Sequence, residues 1–139
     1  MTEFRHFPGS AQTIEILLDA ADTDGALALM TLRMPPGAGA PPHRHTKEAE
    51  TLLVREGELR VELEGEERVL GAGAAVFLPQ GSLHQFQSDG GAVVDVIAAP
   101  AGLEEFFRVV CSEEPDAPPP PDEEVRAAVE RAGLDLSGS

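Results

Sequence analysis

The sequence predicts one all-β domain, an antiparallel sandwich or barrel, followed by short helices. Between residues 13 and 97, short apolar or alternating segments are separated by turn sequences such as Asp24-Gly25 and Glu64-Gly65. After residue 100 the apolar spacing changes to that of a helix. A chain of 139 residues is long enough for one hydrophobic core and too short for two.

The clearest strand signal lies in residues 58–64, where Leu59, Val61 and Leu63 alternate with charged residues. Such alternation is typical of a strand with one buried face, so these three side chains should face inward. Further segments of strand length occupy residues 14–18, 27–34, 51–54, 74–78, 83–86 and 93–98. Together they are enough for a small closed barrel, which we place at residues 1–100.

A short helix packed on the barrel is expected at residues 101–112. Its apolar positions, which recur at helical spacing, are Leu103, Phe106, Phe107 and Val110. Glu104 and Glu105 fall on the other side of such a helix.

Two more segments complete the chain. Residues 113–121 are acidic and rich in proline, which indicates a solvated, extended linker rather than a surface for a basic partner. Residues 122–139 should form a C-terminal helix and tail, with Gly133 as the left-handed cap. The apolar stripe of this helix needs either the chain's own barrel or a neighbouring subunit to pack against, and we expect a homodimer.

Composition restricts the classes of partner. The formal net charge of −15 would repel a phosphate backbone, so nucleic acid is not an expected partner. No apolar run approaches the length that spans a bilayer, so we expect no membrane partner. The N-terminus lacks a secretion signal, and the single cysteine, Cys111, cannot form an internal disulfide. We therefore expect a cytoplasmic location, with Cys111 as a buried structural residue rather than a nucleophile.

Three of the four histidines fall in two short segments that suggest a metal centre. On an extended strand His43 and His45 project from the same face, whereas Glu50 shares that face only if residues 46–49 turn or bulge. His84 follows a corner sequence that can fold it back to the other two. Three imidazoles and one carboxylate suit a divalent first-row transition metal with open coordination positions. Glu48 competes with Glu50 for the carboxylate position, and the fourth histidine, His6, is expected to be structural.

Nine residues at fixed spacing match two motifs. Those of GxxxxxHxHxxxxExxxxxxG are Gly37, His43, His45, Glu50 and Gly57, and those of GxxxxxPxGxxHxxxN are Gly73, Pro79, Gly81 and His84. In its motifs at residues 37–57 and 73–88 the chain resembles the cupin superfamily, in particular small single-domain cupins of the quercetinase-like type. It departs from the second motif at Ser88, where the motif has asparagine.

The resemblance implies a double-stranded β-helix, or jelly-roll barrel, with a metal ion inside its mouth. The ligands it implies are His43, His45, Glu50 and His84, with one divalent transition metal per chain: iron, manganese, nickel, cobalt, copper or zinc. It also implies a small-molecule ligand or substrate. Substitution of asparagine by Ser88 puts only a hydrogen bond outside the ligand set in doubt, because serine can also bond to nearby backbone.

Three functions remain open from the sequence. The first is a metal-dependent dioxygenase or related oxidoreductase that acts on a small enolic or aromatic substrate, with Glu50 doubling as the base. The second is a metal-dependent isomerase or decarboxylase, and the third is a non-enzymatic cupin that binds a small ligand. The chain has no tyrosine, which excludes a tyrosine acid and a cross-linked cysteine–tyrosine cofactor.

An apolar pocket is expected beside the metal. Its candidate residues are Met34, Leu52, Val54 and Phe86. Phe77 and Phe86 are both expected to fill the core, and Phe86 is the better pocket candidate because it shares a strand face with His84.

Overall fold

The structure, a computed structural model, describes residues 3–138, which form eleven strands and three helices. In chain order these elements are β1 (Glu3–His6), β2 (Thr13–Leu18), α1 (Ala20–Thr23), β3 (Ala28–Met34), β4 (Gly39–His45), β5 (Ala49–Gly57), β6 (Leu59–Leu63), β7 (Glu66–Leu70), β8 (Ala75–Leu78), β9 (His84–Gln87), β10 (Ala92–Ala99), α2 (Leu103–Val110), α3 (Asp122–Ala132) and β11 (Leu134–Asp135). No helix within this range is long and apolar enough to cross a bilayer.

The strands form two antiparallel sheets. One has six strands in the order β1-β2-β3-β10-β5-β8, and the other has five in the order β11-β4-β9-β6-β7. Strands distant in sequence lie side by side in both sheets, as in a jelly roll. The prediction of an all-β jelly-roll fold is therefore confirmed.

Side-chain alternation explains why these segments are strands. In β6, Leu59 and Val61 are fully buried, whereas Leu63 is only partly buried. In β5, Leu52 and Val54 share the buried face with Glu50. Burying one face of each strand in this way removes apolar surface from water, which is the main favourable contribution to folding.

Packing requires glycine at position 57, where β5 ends. A Cβ atom on Gly57 would lie 2.2 Å from the carbonyl oxygen of Gly91, and its φ of +80° is one that other residues rarely adopt. The chain can therefore turn from β5 into β6 against the start of β10 only with glycine at this position.

The C-terminal elements pack on the chain itself. Leu103 of α2 belongs to the core, and α3 packs against α2 with Ala128 only 1% exposed. Gly133 caps α3 in the left-handed conformation, as predicted, with φ of 68°. After this cap, β11 pairs with β4, so that Leu134 lies opposite His45. The apolar stripe of α3 thus has a partner within the described chain.

One helix residue lies where the helical pattern did not place it. Glu104 was expected on the side of α2 away from the core, but it is fully buried. Its carboxylate accepts hydrogen bonds from the backbone N–H of Ala20, at 2.8 Å, and of Gly102, at 2.7 Å. Glu104 therefore joins the first residue of α1 to the start of α2, and two charge-assisted hydrogen bonds offset the burial of its charge.

The prediction that Phe77 fills the core is wrong. Phe77 is 59% exposed on β8, an edge strand whose inward residues are Val76 and Leu78. Both faces of this segment carry apolar side chains, so alternation did not distinguish them.

The pattern of apolar residues in the sequence also did not predict β1, β7, β11 or the single-turn helix α1.

Candidate metal centre

Strand β4 supplies two of the candidate ligands. His43 and His45 are buried on its inner face, and Arg44 between them points outward. The guanidinium of Arg44 donates a hydrogen bond to the carbonyl oxygen of Gly81 at 2.8 Å and lies 3.6 Å from the carboxylate of Glu64. Alternation along one strand therefore brings both imidazoles to the same side, as the sequence predicts.

Strand β9 brings the third histidine to the other two. His84, its first residue, lies directly opposite His43 across the β4–β9 pair, where a bulge precedes His43 on β4. The corner before β9 is fixed by a hydrogen bond of 2.8 Å from the backbone N–H of Gly81 to the carbonyl oxygen of His45. A segment almost forty residues away thus reaches the site.

The chain bends between His45 and Glu50, which the odd spacing of these residues requires. The carbonyl oxygen of Gly133 accepts hydrogen bonds from both the backbone N–H of Thr46, at 3.0 Å, and its hydroxyl, at 2.6 Å. The ammonium of Lys47 donates to the carbonyl oxygen of Arg131 at 2.5 Å. The C-terminal end of α3 therefore holds this bend, and Glu50 starts β5 with its side chain inside.

The three imidazoles converge. The cluster contains one ring nitrogen from each of His43, His45 and His84, and these three atoms lie within 4.8 Å of one another. The Nε2 atoms of His43 and His45 are 3.1 Å apart. The two oxygens of Glu50 face this group, with Oε2 3.6 Å from Nε2 of His45 and Oε1 3.7 Å from Nε2 of His84. All four side chains are buried, at 2 to 7% exposure.

The backbone selects the tautomer of His43. Its Nδ1 lies 2.6 Å from the carbonyl oxygen of Pro41, and a carbonyl oxygen only accepts hydrogen bonds. Nδ1 therefore carries the proton, and the lone pair of Nε2 points into the cluster, as a metal ligand requires.

Burial controls the charge of these groups. It lowers the pKa of His84 to about 3, with repulsion from His43 and His45 adding to the effect, and it also lowers the pKa of His43. Burial alone would lower the pKa of His45, but the neighbouring carboxylates of Glu48 and Glu50 raise it above its ordinary value. Burial raises the pKa of the Glu50 carboxyl. Two of the three imidazoles thus remain neutral, with lone pairs available to a cation.

The cluster fits a metal ion. Glu50 Oε1 and both ring nitrogens of His84 are buried without a hydrogen-bond partner within residues 3–138, which costs about 1–3 kcal/mol for each polar atom left in that state. Two nitrogens bound at about 2.1 Å to one ion, at near right angles, lie about 3 Å apart. The Nε2 atoms of His43 and His45 have this spacing. The residues present therefore suit a divalent metal that prefers nitrogen and oxygen ligands.

Ser88, which departs from the second motif, is fully buried. Its hydroxyl donates a hydrogen bond of 2.7 Å to the carbonyl oxygen of Glu58. Serine therefore anchors the end of β9 to the start of β6 without touching the candidate ligands.

The four expected pocket residues lie in different surroundings. Met34, Leu52 and Val54 are buried in the core, at 5%, 1% and 0% exposure. Phe86 packs at the edge of the core and also lines a cavity of about 510 Å³ whose other walls include Arg60. None of the four candidate ligands lines that cavity.

A family model provides the decisive comparison. The model described as "Cupin domain" matches residues 30–100, just over half of the chain, and includes all four candidate ligands. The chain belongs to the cupin family. A search of curated protein sequences gave no match for this cupin.

Solved structures with a similar fold agree with this assignment. An RmlC-like cupin from Shewanella frigidimarina has 24% identity and a TM-score of 0.65, with 76% of this chain and 89% of that chain covered. KdgF from Halomonas sp. has 24% identity and a TM-score of 0.61, covering 68% and 83%. Oxalate decarboxylase from Bacillus subtilis, described with Mn(II) centres, has 23% identity and a TM-score of 0.61, covering 73% of this cupin but 28% of its own chain. At these identities the similarity establishes the fold.

Proposed function

We propose that this cupin is a metal-dependent dioxygenase or related oxidoreductase that acts on a small enolic or aromatic substrate. The observation that carries the proposal is the buried convergence of three imidazoles and one carboxylate, His43, His45, His84 and Glu50. A divalent metal bound by this set, such as iron, manganese, nickel, cobalt, copper or zinc, would polarise an enolate oxygen and, if redox-active, activate dioxygen beside it.

In this proposal the three histidines and Glu50 would hold the ion, and Glu50 has a second role as base. Its carboxylate accepts the hydroxyl proton of an enol, which leaves an enolate and a protonated carboxyl. Burial raises the pKa of Glu50, and a base works best when its pKa lies near the working pH. Glu50 is the only residue that we assign to proton transfer.

The surroundings of Glu50 would exclude bulk water. Leu52 and Val54 follow it on the inner face of β5, where alternate residues share one side of the sheet. They form an apolar wall next to the carboxylate. In such a site, electrostatic interactions between the base and a developing enolate are stronger than in water.

A second candidate function is a metal-dependent decarboxylase or isomerase. The observation in its favour is the shared fold with oxalate decarboxylase from Bacillus subtilis. Here the same four residues would hold the ion, Glu50 would again move a proton, and dioxygen would not be consumed.

The test is oxygen uptake by metal-reconstituted protein. Protein loaded in turn with each of the six metals is incubated with flavonols, diketones and simple enols in an oxygen electrode. Glu50→Gln removes the base and should lower turnover by about 100-fold or more. The matched control is Glu56→Gln, an exposed carboxylate on the same strand, which should retain wild-type turnover.

Each outcome assigns the function. Substrate-dependent oxygen uptake that is lost in Glu50→Gln supports the dioxygenase. Turnover of a carboxylic acid or carbonyl compound without oxygen uptake would replace it by the decarboxylase or isomerase. Metal-loaded protein that turns over none of these compounds would contradict an enzymatic role and leave ligand binding.

A further inference from the structure

Glu48 is a second buried carboxylate at the metal centre, and none of the roles assigned above uses it. It lies in the bend between β4 and β5 and is only 3% exposed. Its Oε1 is 3.6 Å from Nδ1 of His45, and its Oε2 has no hydrogen-bond partner among the described residues. An acidic side chain is rarely buried unless a partner offsets the cost of removing it from water.

The position of Glu48 excludes it from the ligand set in this geometry. On His45, Nε2 faces Nε2 of His43 and Oε2 of Glu50, whereas Nδ1 faces Glu48. The two carboxylates therefore lie at opposite nitrogens of one ring. An ion held by Nε2 of His45 and by Glu50 would lie on the far side of the imidazole from Glu48.

His43 shows how a hydrogen-bond acceptor at Nδ1 fixes the tautomer of a histidine. Nδ1 of His43 donates to the carbonyl oxygen of Pro41, which fixes the tautomer that leaves Nε2 free for metal. Nδ1 of His45 is buried and has no hydrogen-bond partner in the part of the chain that the structure describes, and the Glu48 carboxylate is the acceptor in front of it. A shift of less than 1 Å would complete the hydrogen bond between Nδ1 of His45 and Oε1 of Glu48 and give Nδ1 a partner.

The bend that carries Glu48 is held from outside. Thr46 and Lys47 bond to the last carbonyl groups of the C-terminal helix region, and the side-chain amide of Gln80 donates to the carbonyl oxygen of Thr46 at 2.7 Å. With Lys47 directed towards the end of α3, the next residue is directed inward. The placement of Glu48 is thus built into the fold around the site.

We propose that Glu48 is a positioning residue that orients the imidazole of His45 and keeps its proton on Nδ1, so that Nε2 presents its lone pair to the metal. This inference rests on the metal site of the proposed function and adds a residue that acts through a ligand. Hydrogen-bonding partners of this kind typically change metal affinity by 10- to 100-fold.

The first measurement compares metal-free wild-type and Glu48→Leu protein with ¹⁵N-labelled histidine, at about pH 9, where imidazoles are neutral. Nitrogen chemical shifts report which ring nitrogen carries the proton. In the metal-free protein Nε2 of His45 also faces acceptors, Nε2 of His43 and Oε2 of Glu50. We therefore expect a larger fraction of His45 to carry its proton on Nδ1 in wild type than in Glu48→Leu, and an equal fraction in both would overturn the proposal. This readout needs no metal.

The second measurement is Co²⁺ affinity, by competition with a chromophoric chelator, together with the Co²⁺ absorption spectrum. Glu48→Leu should weaken binding 10- to 100-fold and leave the band positions unchanged, because the ligands stay the same. Glu48→Gln, whose amide oxygen can still accept the bond, should lose less than tenfold. Glu56→Gln serves as the exposed control and should bind as wild type.

Unchanged affinity in Glu48→Leu would overturn the proposal. So would a Co²⁺ spectrum altered in the same way as that of Glu50→Gln, which would make Glu48 a ligand. If Glu48→Leu does not fold, Glu48→Gln, whose amide is a weaker acceptor than a carboxylate, takes its place in both measurements. Wild-type protein that binds no Co²⁺ would contradict the proposed function, while the tautomer in the metal-free protein still decides the role of Glu48.

Discussion

Replacing Glu104 by alanine should destabilise the fold, because the buried carboxylate joins α1 to the start of α2. The substitution removes the acceptor of two part-buried backbone hydrogen bonds, from Ala20 and Gly102, and leaves a space where the fully buried carboxylate was. Hydrogen bonds to a charged group contribute about 1.5–3 kcal/mol each, so the expected loss is about 3–6 kcal/mol. Glu104→Gln keeps one acceptor oxygen and should lose about half as much.

The assay is thermal unfolding followed by circular dichroism. With an unfolding entropy of about 2.1 cal/mol/K per residue, a chain of this length has about 0.3 kcal/mol/K, so Tm should fall by about 10–20 °C. The control is Glu105→Ala, which removes an exposed ion pair with Arg108 on the same helix and should shift Tm by less than about 3 °C. A Glu104→Ala protein with a Tm within 3 °C of wild type, or the same loss in Glu105→Ala, would refute the reasoning.

Three further changes have definite expected results. Gly133→Ala should lower the free energy of unfolding in urea by about 1–3 kcal/mol, because a Cβ atom there lies 2.5 Å from Oγ1 of Thr46 at a φ of +68°. Ser88→Ala should lower it by about 1 kcal/mol through the lost hydroxyl hydrogen bond, with unchanged metal content. Glu3→Gln should destabilise at neutral pH and become indistinguishable from wild type in acid. Arg108 lowers the pKa of folded Glu3, so this stabilisation is present above the unfolded value of 4.5 and is lost as pH falls through the folded value.

Each of these three substitutions can be checked against a control variant or a result that would contradict the expectation. Gly65→Ala introduces a positive-φ alanine into open space, so it should cost less than Gly133→Ala, and an equal cost would contradict the proposed clash. Metal loss in Ser88→Ala would mean that the last position of the second motif does affect the ligands. A stability difference between Glu3→Gln and wild type that persists unchanged at low pH would contradict the role of the ion pair.

Local patterns were sufficient for the strands with one buried face. In β6 charged residues mark the outward positions, and in β4 the spacing of His43 and His45 already puts both rings on one side. These features depend on period two alone, which any extended segment obeys. The approach of His84 also followed from sequence, because the corner before β9 is marked by Pro79 and Gly81.

Tertiary contacts decided the rest. By helical spacing Glu104 is expected to face solvent. It is instead buried against a backbone N–H of α1, and no local sequence pattern indicates that contact. Strand β11 has only two residues and exists because Gly133 ends α3 beside β4. Glu48 and Glu50 are equivalent by residue type, and although the motif favours Glu50, only the geometry of His45 shows what each faces, with one carboxylate at each ring nitrogen.

The central claim is that three histidines and Glu50 hold a divalent metal. The most direct test is the number of metal equivalents per chain, measured by elemental analysis after reconstitution and gel filtration. Wild type and His6→Ala, which removes the one histidine outside the cluster, should each retain about one equivalent, and His84→Ala should retain far less. Full metal content in His84→Ala, or none in wild type, would contradict the claim.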